Sequence, residues 1–587
     1  MKNVKNLFGM AVMATALVGC SSNDNLNPNA NDNAGKAGTA YASFNIELPS
    51  TRGTRAAVDF EDGDAEEYAV KKAQLVVFKK GSATSEGGYT WVENVDLGNL
   101  EPWNNGSDDI TRYANITAEL KTAKVNDTDE YYALIVLNND GKVTLPTTEG
   151  TTYSSWNVAS NATSTFLNND NGFYMANAPE FVSGGEPTTL VPIKGIYRTK
   201  QEAQIKPATT VYVERGMAKV TITDGSFGDK LVTTSTTTTT YAGDHYDISS
   251  WALDVLNKST FPVHMTTGLK SGSTTVPAAI AAATQIVTAY ANIWENNSLN
   301  HTDRFVGGNT FKRVYWGIDP NYSLGLTDLD KCKASFFIAN KDGKKYSDGT
   351  TNVAWTASGT SQYCLENTFD INNMKQGQTT RVIFKATYTP KALLGESDKT
   401  FFMIGNNPNI WTKTTLIQQI TNKAKELNAN VASVDFKSDA ALLKAGSHNL
   451  TADDITIKDA SDNAITTINF VDLNSKLGLV NGLLINTYAG GECYYIARIK
   501  HFNELTPWGA GQPTYGVIND TNNDSYLGRY GVLRNNWYEL TVNSVSGPGY
   551  PDVPEVKPTE PDDENTKFIN VEVKILDWAK RSQSIDL

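Results

Sequence analysis

The C-terminal end of the chain constrains its fold most. Residues 546–567 read SGPGYPDVPEVKPTEPDDENTK, with five prolines and a surplus of acid. Proline fixes φ and removes a backbone donor, so the segment is expected to be extended and solvated rather than part of a sheet. FINVEVKILDW follows, where Ile569, Val571, Val573 and Ile575 alternate with polar residues as in a strand that buries one face. An unpaired apolar strand is an aggregation hazard. It must pair with its own domain or with a neighbouring molecule, and strand donation between molecules builds polymers.

The N-terminal end supplies a matching half. Lys2 and Lys5 precede an apolar run over 7–18 that closes with Leu17-Val18-Gly19-Cys20. A basic start, a short apolar core and small residues before the cut define a secretory signal, because a membrane span needs about 20 apolar residues. Cys20 in this setting resembles a bacterial lipobox, whose thiol is acylated and becomes the mature N-terminus. SSNDNLNPNANDNAG (21–35) reads as a disordered spacer. Residues 41–48 (YASFNIEL) then alternate, with Ala42, Phe44, Ile46 and Leu48 on one face. This strand runs into PSTRGTRAAVDFEDGD, where Arg52 and Arg55 sit among small residues that a trypsin-like protease can bind and cut. A cut after Arg55 would remove the strand together with its lipid anchor and leave its groove vacant.

Bulk properties fit an exported, non-enzymatic β protein. The 587 residues allow at least two domains, and Thr, Val, Tyr, Asn and Gly are abundant. The formal charge is −13; loss of residues 1–55 takes away five basic and three acidic groups, leaving −15. Such a surface argues against nucleic acid as a partner. Besides Cys20 only Cys332, Cys364 and Cys493 occur, which is no disulfide framework; a Cys332–Cys364 pair is not expected. Strands are expected at 70–78, 131–137, 211–222, 310–318, 332–339, 380–388, 401–404, 483–501 and 537–545, with long loops between them. Two helices are expected, over 277–294 and 414–427, the second with Leu416, Ile420 and Leu427 on one stripe.

No catalytic, metal or cofactor signature emerges. His245, His264, His301, His448 and His501 are scattered without ligand spacing. Asp520-Thr521-Asn522-Asn523-Asp524 lacks the turn glycine and distal glutamate of a calcium loop, and Asp62-Gly63-Asp64 reads as a solvated turn.

Three segments carry a family resemblance. Val532-Leu533-Arg534-Asn535-Asn536-Trp537-Tyr538-Glu539-Leu540-Thr541-Val542, followed by Ser544, Val545 and Gly547, resembles the closing strand of Bacteroidales fimbrillins. So does Arg215-Gly216-Met217-Ala218-Lys219-Val220, and the terminal VEVKILDWAKRSQSIDL is similar to the end of Mfa1-type major fimbrial subunits. The resemblance implies a mainly β fold of two transthyretin-like β-sandwich domains with long loops and one or two short helices. It implies a lipoprotein signal over 1–19 and a lipid-anchored propeptide over 20–55. An N-terminal domain would cover 56–212 and a C-terminal domain 213–545, followed by a linker over 546–567 and a donor strand over 568–587.

In that reading Cys20 is lipidated and Arg55-Ala56 is the bond cut by an Arg-specific protease, with Arg52-Gly53 competing. Ile569, Val571, Val573, Ile575 and Trp578 would be the donor residues. The partners implied are copies of the same subunit, accessory fimbrial subunits and a host or bacterial surface receptor. The location implied is a surface fimbrium built from an outer-membrane lipoprotein precursor. The competing class is a surface glycan-binding lipoprotein, supported by 11 Trp and 26 Tyr that could stack on sugars. Such a binder has no need of a tethered terminal strand or an Arg site near residue 55.

Overall fold

A computed structural model describes residues 39–49, 65–105, 110–125, 128–161, 164–180, 187–233, 240–266, 306–307, 313–314, 317–322, 324–369, 373–501, 530–562 and 569–577. The architecture is mainly β. In the N-terminal body the hydrogen-bonded order is Thr90–Gly98, Ala73–Lys79, Tyr131–Leu137, Met175–Asn177, Thr209–Arg215, Ala40–Pro49, Ile110–Leu120 and Asn104–Asn105. These strands enclose one apolar core around Leu75, Val77, Leu134, Val136, Phe44 and Ile46, all fully buried. Tyr131–Leu137 is buried on both faces except at Tyr132, as its unbroken apolar run requires of a central strand.

The C-terminal body is a sandwich of two four-stranded sheets. One runs Gln362–Cys364, Ala218–Ile222, Asn536–Val545, Ile569–Asp577; the other runs Gly228–Leu231, His245–Asp254, Arg381–Thr389, Glu492–Arg498. Val220, Tyr538 and Leu540 from the first meet Trp251, Phe384 and Tyr495 from the second. One face of each sheet enters this core, and the other face of the second sheet packs Ala252, Ile383 and Ile496 into a separate apolar cluster.

Between the paired strands Arg381–Thr389 and Glu492–Arg498 the chain inserts a lobe with a core of its own, including Phe402, Leu416, Ile420, Leu442, Leu473 and Ile485. Its helix Lys413–Leu427 begins at Thr412, whose hydroxyl accepts from the Thr415 amide while the Thr415 hydroxyl accepts from the Thr412 amide. Leu416, Ile420 and Ala424 line its buried face. The helix expected over 277–294 lies outside the described residues.

Several sequence expectations are corrected. Residues 332–339 are not one strand: Asp328 caps a helix, Leu329–Ser335, by accepting from the Lys331 amide, and only Phe336–Phe337 is extended. The cap and the helix-favouring Leu, Lys and Ala outweigh the apolar run behind them. The 211–222 run divides at Gly216 into Thr209–Arg215 and Ala218–Ile222, which belong to different sheets. The 483–501 run divides into Ile485–Tyr488 and Glu492–Arg498 at Gly490 and Gly491, both with positive φ. A Cβ on Gly491 would meet the Tyr388 carbonyl oxygen at 2.5 Å, so only glycine serves there. Of 310–318, only Arg313–Val314 is extended among the described residues. Cys332, Cys364 and Cys493 are buried free thiols.

The Pro-rich segment also departs from expectation: its described part, 546–562, is packed along the C-terminal body. Val553 and Val556 are 0% and 2% exposed, and Tyr550 exchanges backbone hydrogen bonds with Tyr494 at 2.7 and 2.8 Å. Two valines between the prolines provide apolar anchors that outweigh the solvation of an open chain. Thr412→Ala should cost the lobe about 1 kcal/mol. Amide exchange across 413–427 should then accelerate about fivefold, while exchange in the sandwich strands stays unchanged.

Candidate assembly site

The strand Ala40–Pro49 is internal to its sheet. On one side it pairs antiparallel with Ile110–Leu120, from Ala40↔Leu120 to Leu48↔Arg112; on the other it pairs parallel with Thr209–Arg215, from Phe44↔Thr209 to Glu47↔Tyr212. Ala40, Ala42, Phe44, Ile46 and Leu48 are all at most 2% exposed. The period of two read in the sequence thus seals an entire face of the strand. The other face is partly covered: Tyr41 and Tyr197 exchange backbone hydrogen bonds at 2.8 Å, and the Ser43 and Thr117 hydroxyls lie 2.9 Å apart. Burial pushes the Glu47 carboxyl up, against the hydrogen bond from Asn45.

Each large inward side chain contributes about 1.5–3 kcal/mol of burial, and each ladder hydrogen bond about 1 kcal/mol. Without this strand, Ile110–Leu120 and Thr209–Arg215 would flank a slot two strand spacings wide, roughly 10 Å. The pairing register shifts between Leu48 and Pro49, just before residues 50–64. Those residues, with Arg52, Gly53, Arg55 and Ala56, lie outside the described residues, as do Cys20 and Trp578.

The terminal strand Ile569–Asp577 is paired within its own chain, at the edge of the first sheet of the C-terminal body. Ile569, Val571, Val573 and Ile575 stand opposite Val545, Val542, Leu540 and Tyr538. Among the described residues only Asn536–Val545 pairs with it. The internal strand is therefore held on two sides and the terminal strand on one.

Two sequence segments singled out above meet at the contact between the bodies. The Arg215 amide donates to the Asn535 side-chain oxygen at 3.0 Å, and the Asn535 amide donates to the Met217 carbonyl at 2.8 Å. Asn535 adopts φ 59°, a conformation that asparagine tolerates. Gly216 lies against the Tyr174 and Phe166 rings, where a Cβ would come within 2.9 Å. Lys219 stands directly opposite Trp537 in a parallel pairing, its ammonium 4.0 Å from the indole centre.

The same ammonium contacts Glu67 at 2.7 Å, and the Tyr363 hydroxyl donates to the same carboxylate at 2.6 Å. Glu67 and Lys219 are 2% and 3% exposed, so each charge depends on the other. Glu67 belongs to the helix Ala65–Tyr68, the first described element after the Arg segment. Sequence reasoning missed Glu67 and Tyr363, because nothing local marks a lone glutamate as the partner of a lysine over 150 positions away.

A second buried polar group continues the junction. Arg534 lies 3.5 Å from Glu366, and His264 contacts Glu214 at 2.7 Å. Asp319 accepts from the Thr368 amide, the Asn321 amide and the Asn257 side chain at 2.6–2.8 Å. Burial nevertheless pushes the Asp319 carboxyl up to about 7. Among the described residues no three His, Cys, Asp or Glu gather closely enough to hold a metal ion.

Residues 486–584 match the family model described as major fimbrial subunit protein type IV, fimbrillin, C-terminal. No curated protein matches the chain. Among solved structures, a candidate cell adhesion protein from Parabacteroides distasonis is 10% identical; the alignment covers 92% of this chain and 99% of that one, with a TM-score of 0.34. A fimbrial assembly protein from the same organism is 13% identical over 40% of this chain and 72% of its own, with a TM-score of 0.22. The matched region holds the strands Glu492–Arg498, Asn536–Val545 and Ile569–Asp577 and the Pro-rich segment between the last two. The likeness to the fimbrillin family model is thus confined to this C-terminal region.

Two outcomes follow for stability. Phe44→Ala in the uncut chain should destabilise the N-terminal body by about 3–5 kcal/mol in urea unfolding, by creating a cavity in a sealed face. Asp319 is raised in the native state above its usual 3.8, so its contribution is full below that value and is lost as pH rises through about 7. Asp319→Asn should flatten the fall in stability between pH 5 and 8, measured by urea midpoints.

Proposed function

We propose that this protein is a shaft subunit of Mfa1 type that polymerises by strand exchange after proteolysis. The precursor is exported as an outer-membrane lipoprotein acylated at Cys20. An Arg-specific protease cuts after Arg55, or after Arg52, and separates the strand Ala40–Pro49 and its anchor from the rest of the subunit. The terminal segment 568–587 of the next copy then fills the slot, with Ile569, Val571, Val573, Ile575 and Trp578 as the inserting residues. The role is structural and adhesive rather than enzymatic, and accessory fimbrial subunits and a surface receptor complete the assembly.

The observation that carries this reading is the internal position of Ala40–Pro49. A strand lying upstream of the Arg segment supplies five side chains of the first core, yet only the chain through residues 50–64 joins it to the rest. Cutting that connection turns an intramolecular strand into a bound peptide, which another strand of similar pattern can replace. In the uncut chain Ala40–Pro49 occupies this slot, and the subunit stays monomeric. The glycan-binding alternative gains nothing from the fold: among the described residues no aromatic side chain ranks with the exposed large hydrophobics, and Trp251, Tyr174 and Tyr388 are fully buried.

Arg52→Ala/Arg55→Ala precursor should remain monomeric after protease treatment, while the parent forms filaments whose N-terminal residue is Ala56 or Gly53. N-terminal sequencing with negative-stain imaging reads both. Filaments from the doubly substituted precursor, with the strand Ala40–Pro49 still attached, would overturn the proposal.

A further inference from the structure

The reach of the terminal strand is set by where the Pro-rich segment lets go of its own body. Residues 546–562 form a strap anchored at successive points. Tyr550 is bridged to Tyr494, Val553 enters the cluster of Ile383, Tyr346 and Ile496, and Val556 enters that of Phe336, Ile338 and Leu326. The Pro554 carbonyl accepts from Arg381 Nη2 at 2.6 Å, and the Asp562 carbonyl accepts from Arg498 Nε at 2.8 Å. Both arginines are buried, at 1% and 4% exposure, on adjacent strands of one sheet. Asp562 is itself 1% exposed, and its carboxylate accepts from the Thr379 hydroxyl at 3.2 Å.

Lifting the strap would uncover two apolar clusters and remove acceptors from two buried guanidiniums, which is expensive. Releasing Ile569–Asp577 breaks pairing on one side only, at a sheet edge. The change from the anchored strap to the one-sided edge strand therefore falls between Asp562 and Ile569.

We infer that Asp562 is the pivot of assembly: the strap stays docked on its own subunit in the polymer, and only the chain beyond Asp562 crosses to the next copy. This rests on the strand-exchange reading above and adds a geometric limit to it. Residues 563–568 bridge the pivot to the strand, and six residues span at most about 20 Å. The mouth of the neighbour's slot must then lie within about 20 Å of Asp562. The surface around Asp562, Lys375 and Glu560 is accordingly where a second copy of this chain docks.

Two engineered disulfides test this in the full chain after cleavage. Lys375→Cys/Pro561→Cys joins a bridged backbone pair and locks the strap to its body, whereas Leu540→Cys/Val573→Cys joins opposed residues and locks the terminal strand. With the thiols oxidised, the strap-locked protein should polymerise within about twofold of the parent rate, while the strand-locked protein should stall until reduced. A strap lock that slows polymerisation tenfold or more, with recovery on reduction, would overturn the pivot and leave strand exchange standing. A strand lock that polymerises freely when oxidised would instead remove strand exchange, and the pivot with it. Hydrogen exchange on the unmodified protein gives an independent reading. Amides of 550–562 should be equally protected in monomer and filament; a loss of protection there in filaments would refute the docked strap.

Discussion

The insertion of Ala40–Pro49 between two strands of the N-terminal body is the contact on which the rest depends. A strand held by ladders on both edges, with an unbroken apolar face beneath it, cannot be removed without opening the core of that body. Yet it is joined to everything else through a single segment rich in small residues and arginine. In the proposed assembly, strong non-covalent retention combined with a cleavable covalent link would keep the protein closed until it is cut.

The terminal strand is the physical counterpart of this arrangement. It also alternates and also lies in a sheet, but at an edge and with a single neighbour. The two strands therefore differ in accessibility rather than in kind. Between the bodies, the segments around Arg215–Lys219 and Arg534–Trp537 interlock through paired backbone groups and a lysine held by a carboxylate and an indole. Buried charges of this sort specify one geometry more than they add stability, and here they fix how the two bodies meet.

Where residues repeat with a period of two or run apolar without a break, the fold was legible in the sequence. Tyr131–Leu137, Phe401–Ile404 and Ala40–Pro49 could be placed to within a residue, because burial of one or both faces writes itself directly into side-chain order. His245–Asp254 escaped notice because a register shift between Ile248 and Ser250 interrupts its alternation. The helix Leu329–Ser335 was hidden by the apolar residues that follow it. The strap was misread because proline content announces an extended backbone and is silent on whether that backbone is docked. At the assembly site, the two strands were readable from their own residues, whereas Glu67 and Tyr363 gain meaning only when distant segments are brought together.

The route by which the strap is fastened bears on mechanics. A pull on the C-terminal strand arrives first at Asp562, whose carbonyl is gripped by Arg498. It then reaches Pro554, gripped by Arg381. Arg381 projects from Arg381–Thr389, inside its sheet, and Arg498 from Glu492–Arg498, the neighbouring strand at the end of that sheet. In the proposed filament, tension along the strap would thus be shared between attachments on two adjacent strands instead of loading one bond at a time.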